Sequence, residues 1–455
     1  MKVLVVGSGG REHALCWKIS QSKDCEALYC APGNGGTQTV ATNLDIAATD
    51  TAGVLRFCQA EGVGLVVIGP EDPLCEGMAD ELREAGIPCF GPGADGARLE
   101  GSKAYAKEVL ERHRIPTAGY RRFDRSGEAK DYLNACKVWP QVVKADGLAA
   151  GKGVFICEDN KDACSAVDAV MEERRLGEAA GASIVIEEFL EGEECSVFAI
   201  TDGEAILILE PVVDHKQVGE GDTGPNTGGM GVYSPAPSLG NRVLRQIEQR
   251  VVIPSIHAVR REGIDFRGVL FIGLMLTESG PKVLEYNVRF GDPEAQALVR
   301  RFSDDLLPYL LATANGTLKT MEPPSWDRRF TVGVVGASEG YPSDYAKGIA
   351  ISGLEEAAGL EDVVVFHAGT NLSDGEILTS GGRVVCVSSM GEEMETARER
   401  AYAAYDMITW NGKFCRRDIG GRVEARKARV AQLMGKRAES GEDVEPSVPL
   451  GDARG

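Results

Sequence analysis

Residues 142–154 read Val-Val-Lys-Ala-Asp-Gly-Leu-Ala-Ala-Gly-Lys-Gly-Val. This stretch has the look of a phosphate loop but not its grammar. A P-loop places four residues between its glycines and a hydroxyl after its lysine, so that backbone N–H groups cradle phosphates and the hydroxyl reaches Mg²⁺. Here three residues separate Gly147 from Gly151, and Gly153 follows Lys152. The alternative is an apolar strand that ends on Lys144 and aims its ammonium from fixed backbone. Gly147, Gly151 and Gly153 would then form a hairpin able to close over a triphosphate. A second strand downstream, Ile184-Val-Ile-Glu-Glu-Phe-Leu190, breaks into Glu191-Gly-Glu-Glu194. Its backbone could pair with an adenine, and an acid just beyond it could accept ribose hydroxyls. In this order the two segments compose a nucleotide site between two sheets.

The metal that such a site requires must come from elsewhere. In Lys282-Val-Leu-Glu-Tyr-Asn-Val-Arg-Phe-Gly-Asp-Pro-Glu294, strand alternation puts Glu285, Asn287 and Arg289 on one face. A carboxylate and an amide oxygen together are hard ligands suited to Mg²⁺ that also grips phosphates. Arg289 could hold a carboxylate or phosphate out of the metal's reach. Tyr286 and Val288 face the core.

The first hundred residues alternate short apolar runs (3–6, 65–68, 88–90) with helical stretches (12–20, 76–85), the pattern of a parallel, doubly wound sheet. Three loops fall at its expected ligand edge: Gly7-Ser-Gly-Gly-Arg11, Ala31-Pro-Gly-Asn-Gly-Gly-Thr37 and Gly69-Pro-Glu-Asp-Pro-Leu74. Glu12 stands where a dinucleotide fingerprint has its third glycine, so Gly7, Gly9 and Gly10 with Arg11 suit a single phosphate instead. Glu71 and Asp72 could take ribose hydroxyls or an amine. A helix is expected from Lys103 to about His113. Strands follow at 142–144, 154–157, 183–188, 195–201 and 205–209, with a helix at 162–175 among them. Residues 219–231 read as a long, aperiodic, functional glycine loop. Two more strands are expected at 268–277 and 282–287.

The chain has 455 residues, enough for about three domains. Its net charge of −20 argues against a nucleic-acid partner. The 12 cysteines form no C-x-x-C pair, which points to reduced thiols rather than zinc or disulfides. Met1 to Gly7 reads as a strand entering a turn rather than a signal peptide, and no apolar run is long enough to span a bilayer. A soluble, cytoplasmic, monomeric protein is expected.

Six stretches in chain order resemble one family: VLVVGSGGREHAL (3–15), GPEDPL (69–74), VVKADGLAAGKGV (142–154), GDTGPNTGGMGVYSP (221–235), GVLFIGLM (268–275) and LEYNVRFGDPE (284–294). They are similar to the phosphoribosylamine–glycine ligases of the ATP-grasp superfamily. The resemblance implies an α/β ATP-grasp fold with an N-terminal Rossmann-like domain (1–102), an ATP-grasp domain (103–327) with a mobile lid (about 120–192), and a small C-terminal domain (328–428). Residues 429–455 would be a disordered tail. It implies ATP with Mg²⁺ or Mn²⁺, and glycine and 5-phosphoribosylamine as substrates, joined through glycyl phosphate. Lys103 and Lys144 would contact the phosphates under the Gly147–Gly153 lid. Glu187, Glu188, Phe189 and Leu190 would form the adenine hinge, with Glu194, or else Glu193, on the ribose and Glu285 and Asn287 on the metal. Arg289 and Asp292 would serve glycine or the acyl phosphate and, with Lys144, would make up the catalytic set. Asp214, Lys216, Asn226, Thr227, Gly228, Gly229 and Met230 would face the phosphoribosylamine. Its phosphate would meet Gly9, Gly10, Asn34, Gly35 and Gly36, with Glu71 and Asp72 nearby. The strand Gly273-Leu-Met275 carries no further metal-binding acid. A different purine-pathway ligase of the same fold, a nicotinamide-dependent dehydrogenase and a non-catalytic nucleotide sensor are the competing readings.

Overall fold

The computed structural model describes residues 1–149, 153–175, 177, 180–237 and 239–421. Gly151, Lys152 and the expected tail at 429–455 lie outside the described residues. The apolar runs at the start of the chain form β1 (Lys2–Gly7), β2 (Ala27–Pro32), β3 (Thr42–Asn43), β4 (Leu65–Ile68) and β5 (Cys89–Phe90). They pair in parallel in the order β3-β2-β1-β4-β5. Val3 to Val6 are fully buried, as in a sheet covered on both faces. The helical stretch expected at 76–85 begins only at Met78; Gly77, at φ +89°, parts it from the short helix Glu71–Cys75.

The next sheet is antiparallel: β6 (Tyr120–Phe123), β7 (Gln141–Ala145), β8 (Val154–Cys157) and β9 (Ile184–Glu188), in the order β6-β9-β7-β8. Strand β6, with two exposed arginines, has too little apolar periodicity to be read from sequence. A helix (Asn160–Val167) packs on this sheet and widens into a π turn over Asp168–Glu172. Facing it is a sheet ordered β11-β10-β16-β17. It is built from β10 (Glu193–Thr201), β11 (Ile206–Ile208), β16 (Gly268–Thr277) and β17 (Gly280–Asn287).

Between β11 and β16 the chain forms β12 (Val213–Asp214), β13 (Gln217–Gly219), β14 (Thr223–Asn226) and β15 (Gly231–Ser234). This corrects the expectation of an aperiodic loop at 219–231. Gly221 (φ +66°) and Asp222 (φ +58°) make a left-handed turn, and Gln217 then registers with Asn226 across a hairpin. Periodicity fails here because the hairpin is almost all polar and glycine.

Strands β12 and β15 join the C-terminal sheet with β18 (Phe330–Ser338), β19 (Val363–His367) and, beyond the hairpin of β20 (Thr370–Ser373) and β21 (Glu376–Thr379), β22 (Arg383–Gly391). The middle of the chain is thereby stitched to its end.

The N- and C-terminal domains meet at two buried histidines. The His367 N–H donates to His13 Nδ1 at 2.9 Å, so that nitrogen must stay unprotonated. Burial pushes His13 down to about 3, aided by His367, and burial alone takes His367 down to about 4. Both folded values lie below the unfolded value of about 6.5, so acid protonates the unfolded chain first. Stability is therefore full above about pH 6.5 and is lost as pH falls toward 4, by up to about 1.4 kcal/mol per pH unit for each histidine. Urea titrations across that range should show the slope, and His13→Asn and His367→Asn should each flatten it.

Candidate active site

One cleft of about 410 Å³ lies where the three regions converge. The β6–β9 sheet and its adjoining loop contribute Gly147, Gly153, Val154 and Glu187, and the opposing sheet contributes Phe271, Leu284, Glu285, Tyr286 and Asn287. A cavity thus lies between the two sheets, where the sequence led us to expect a nucleotide site.

Its cations are set by local structure. Ser102 caps the helix Lys103–Arg112 by accepting from the Tyr105 N–H at 3.1 Å. Asp146 ties that cap to the β6–β9 sheet, accepting from Ser102 Oγ at 3.0 Å, the Ala104 N–H at 3.1 Å and Ser183 Oγ at 2.8 Å. Lys103 is thereby fixed at the cleft mouth, where its Nζ donates to the Gly147 carbonyl at 3.1 Å. Burial lowers its pKa. Lys144, at the end of β7, pairs with Glu187 at 2.9 Å and donates to the Leu284 carbonyl at 3.2 Å.

Glu187 also pairs with Lys107 at 2.9 Å. Its side chain is therefore a structural bridge between two lysines and is not free for an adenine. Lys107 was not legible: it sits on the buried side of an ordinary amphipathic helix, and burial lowers its pKa to about 8. Glu188 points outward to Lys282 at 2.9 Å, and Leu190 is buried with Ala118 and Met275. Phe189 is half-buried and does not line the cleft.

At the centre of the cleft Glu285 stands 3.6 Å from Lys216. Burial would raise its carboxyl, but Lys216, Lys144 and Lys103 outweigh burial and hold it below the ordinary range. Lys216 responds oppositely: burial would lower it, yet Glu285 and Asp214 drive it well above its usual value. Asn287 Oδ1 lies 3.2 Å from the Arg289 guanidinium. Among the described residues no three His, Cys, Asp or Glu side chains gather into a metal shell. Two hard oxygens on a wall of mixed charge fit a hard divalent cation that is not held by protein ligands alone.

Arg289 is more constrained than strand alternation suggested. It is clamped by Glu71 (3.1 Å) and Glu100 (2.7 Å), so it is no free anion receptor. Burial would raise Glu71, but Arg289 and Arg11 bring it down to about 2; Glu100, more deeply buried, is pushed up to about 7 despite Arg289. Asp292 faces Arg383 at 3.7 Å. Arg383 reaches in from β22 and also donates to the Gly228 carbonyl at 2.7 Å, while Tyr341 Oη accepts from the Gly228 N–H at 3.1 Å. Glu100, Glu294, Tyr341, Tyr345 and Arg383 line the cleft without having been singled out as ligands, since their partners lie far away in sequence; Arg11, read with the glycine turn, lines it too.

Other expected positions land elsewhere. The Gly9 N–H is bonded to Glu12 Oε2 at 2.5 Å, the Arg11 N–H faces Asp292 Oδ2 at 3.4 Å, and Gln296 crowds Gly10. The helix start that was to hold a phosphate already holds two carboxylates. Glu12 also fills the space beside Gly7 and Gly69 that a dinucleotide would need. Asn34 spends its amide on the Ser8 and His367 carbonyls, and Gly35 and Gly36 pack on the C-terminal domain. These three build a domain contact and do not line the cleft. Asp72 is exposed outside it. Met230 is fully buried and cannot touch a substrate with its side chain. Gly229 (φ +118°) has Pro293 Cδ 2.5 Å and Asp214 Oδ1 2.8 Å from where a Cβ would stand. Asp214 is buried with neither carboxylate oxygen hydrogen-bonded, and burial and Glu294 raise its pKa. Thr227 and Gly228 line the cleft beside Lys216; Asn226 and Glu194 do not.

Two antiparallel sheets clasping a lysine-lined cleft behind a doubly wound N-terminal sheet define an ATP-grasp enzyme. The family model of the phosphoribosylglycinamide synthetase ATP-grasp (A) domain matches residues 101–295; those of the N and C domains match 1–100 and 331–422. The chain belongs to this family of ATP-grasp ligases of purine biosynthesis. It is 48% identical over 426 residues to a phosphoribosylamine–glycine ligase of Rhodopirellula baltica, covering 92% of this chain and 97% of that protein. It is also 48% identical to one from Agrobacterium fabrum, covering 94% of this chain and all of that protein. The crystal structure of phosphoribosylamine–glycine ligase from Thermotoga maritima superposes with a TM-score of 0.80 at 34% identity, covering 92% of this chain and all of that one. A Hydrogenobacter thermophilus biotin carboxylase domain, at 17% identity and TM-score 0.69 over 91% of each chain, shares the fold.

Proposed function

We propose that this cleft joins glycine to 5-phosphoribosylamine at the expense of ATP. The observation that carries the reading is the Glu285 carboxylate, held ionised by lysines from three separate segments at the meeting point of the two sheets. Lys103 and Lys144 are placed to neutralise ATP phosphates, with Gly147 and Gly153 of the lid above them. Glu285 and Asn287 would hold a divalent cation, Mg²⁺ or Mn²⁺, which supplies charge neutralisation on the phosphates when bound. Positioning and charge neutralisation supply most of the catalysis in phosphoryl transfer, which explains why no nucleophilic side chain is needed.

The glycine carboxylate attacks the γ-phosphorus; the bond to the β–γ bridging oxygen breaks and ADP leaves. The amine of phosphoribosylamine then attacks the glycyl carbonyl, and inorganic phosphate leaves as the amide forms. Lys216 and Arg383, with Thr227 and Gly228, bound the half of the cleft remote from the lid. They suit the acyl phosphate and the incoming amine. Asp214 and Glu294 are buried carboxylates whose charge steadies the Lys216 ammonium for that role.

The test is ADP release with and without glycine, phosphoribosylamine and Mg²⁺ or Mn²⁺. Release that requires all of them is expected; release indifferent to glycine and the amine would sink the assignment. The active unit is proposed to be a monomer, which sedimentation can check. All twelve cysteines are free, which suits a reducing cytoplasm. Among the described residues no helix is long and apolar enough to cross a membrane.

A further inference from the structure

Lys216, Thr227 and Gly228 sit at the base of a hairpin, β13–β14, whose strands pair only with each other. A lone two-stranded hairpin is marginal in water, yet this one must hold Lys216 against Glu285. Its base is closed locally, the Thr227 N–H and Oγ1 both donating to the Lys216 carbonyl at 2.8 and 2.7 Å.

Its turn is gripped from about two hundred residues away. Arg416 is the largest fully buried side chain among the described residues, at 1% exposure. One guanidinium nitrogen donates to the Gln217 carbonyl and to Asp222 Oδ1, each at 3.0 Å. The other two donate to Asp418 at 2.8 and 2.6 Å. Asp418 Oδ2 in turn accepts from the Gly221 N–H at 2.9 Å, and the Arg417 N–H donates to Glu220 at 3.1 Å. The clamp is itself anchored: Tyr402 Oη donates to the Arg416 carbonyl at 2.9 Å and accepts from the Ile419 N–H at 3.1 Å. Arg416 touches nothing in the cleft, and the reaction as derived does not use it.

We infer that Arg416 is a positioning residue for the substrate half of the cleft, acting through the β13–β14 hairpin on Lys216 and Thr227. The planar fork reaches β13 at Gln217 and the turn at Asp222 while it holds Asp418, which binds the turn at Gly221; a lysine's single ammonium cannot reproduce this. This inference rests on the proposed function, and wild-type turnover, measured first, tests that separately.

The experiment compares full-length Arg416→Lys, Arg416→Ala and Asp222→Asn with the wild type. The readouts are the KM for phosphoribosylamine, glycine and ATP, with hydrogen exchange of the amides at 217–227. Expected are at least about a tenfold rise in KM for phosphoribosylamine in both Arg416 variants, ATP KM within about twofold, and faster exchange confined to the hairpin. Asp222→Asn, which removes the charge from one partly exposed partner but keeps an accepting oxygen, should shift both readouts the same way by less. Loss of hairpin protection with every KM unchanged would overturn the inference. So would an equal rise in all three KM values with exchange accelerated throughout the molecule, which marks a purely structural arginine.

Discussion

Glu285→Ala is expected to lower kcat by about 10²–10³-fold or more while the protein stays folded. Glu285 is the one acid near which Lys103, Lys144 and Lys216 gather, and it is also the charged member of the oxygen pair that fits a divalent cation. Without it the lysines repel one another, and the cation keeps only Asn287, whose oxygen already faces Arg289. Two unit charges about 4 Å apart interact by about 4 kcal/mol in a surface-like dielectric, so the loss is large in charge terms. The fold should survive because each lysine keeps another partner: the Gly147 carbonyl for Lys103, Glu187 for Lys144 and Asp214 for Lys216. A coupled ADP assay and a thermal melt check both halves. Near-wild-type turnover at saturating Mg²⁺ would remove Glu285 from the site.

Glu187→Ala should be the more damaging change to stability, by about 3–5 kcal/mol, because it leaves two buried ammonium groups without their shared carboxylate. Glu187 itself is only 2% exposed, so water cannot replace it. Lys107 retains Thr117 Oγ1 at 2.7 Å, a neutral partner. Its pKa, about 8 in the wild type, should fall further. Since the unfolded lysine titrates near 10.4, the unfolded chain binds more protons above the folded value. Lys107 therefore makes stability rise with pH between about 8 and 10.4 in the wild type, and from a lower pH in the variant. Turnover should fall as well, since Lys144 loses the carboxylate that aims it. Urea unfolding at two pH values, with kcat on the same preparations, measures both effects. A variant as stable as the wild type would mean that Glu187 does not hold these lysines.

The parts legible in the sequence are those where chemistry is local. Val3–Val6 and Leu65–Ile68 are continuous apolar runs because both faces of β1 and β4 are covered. Glu285 and Asn287 could be paired because two residues on one strand share a face. Lys144 could be found because the strand that carries it ends in glycines. Against this, the polar hairpin at 217–226 has no apolar period, and the glycine turn at 7–10 looked open only because the acids that fill it could not be placed. One of them, Glu12, follows immediately, but Asp292 is 281 residues from Arg11.

The sequence by itself determined the apolar strands, the order of the motifs and the kinds of group that would meet phosphates and a cation, since each follows from side-chain chemistry and short-range periodicity. Only the tertiary structure decided which of those groups are free to act. Arg289 is held between Glu71 and Glu100, Glu187 is held by two lysines, and Arg383 and Arg416 arrive from the end of the chain to hold the loop that carries Lys216. The physical reason is that a buried charge must be satisfied by whichever opposite charge packing brings within about 3–4 Å, and that distance has no fixed relation to separation along the chain.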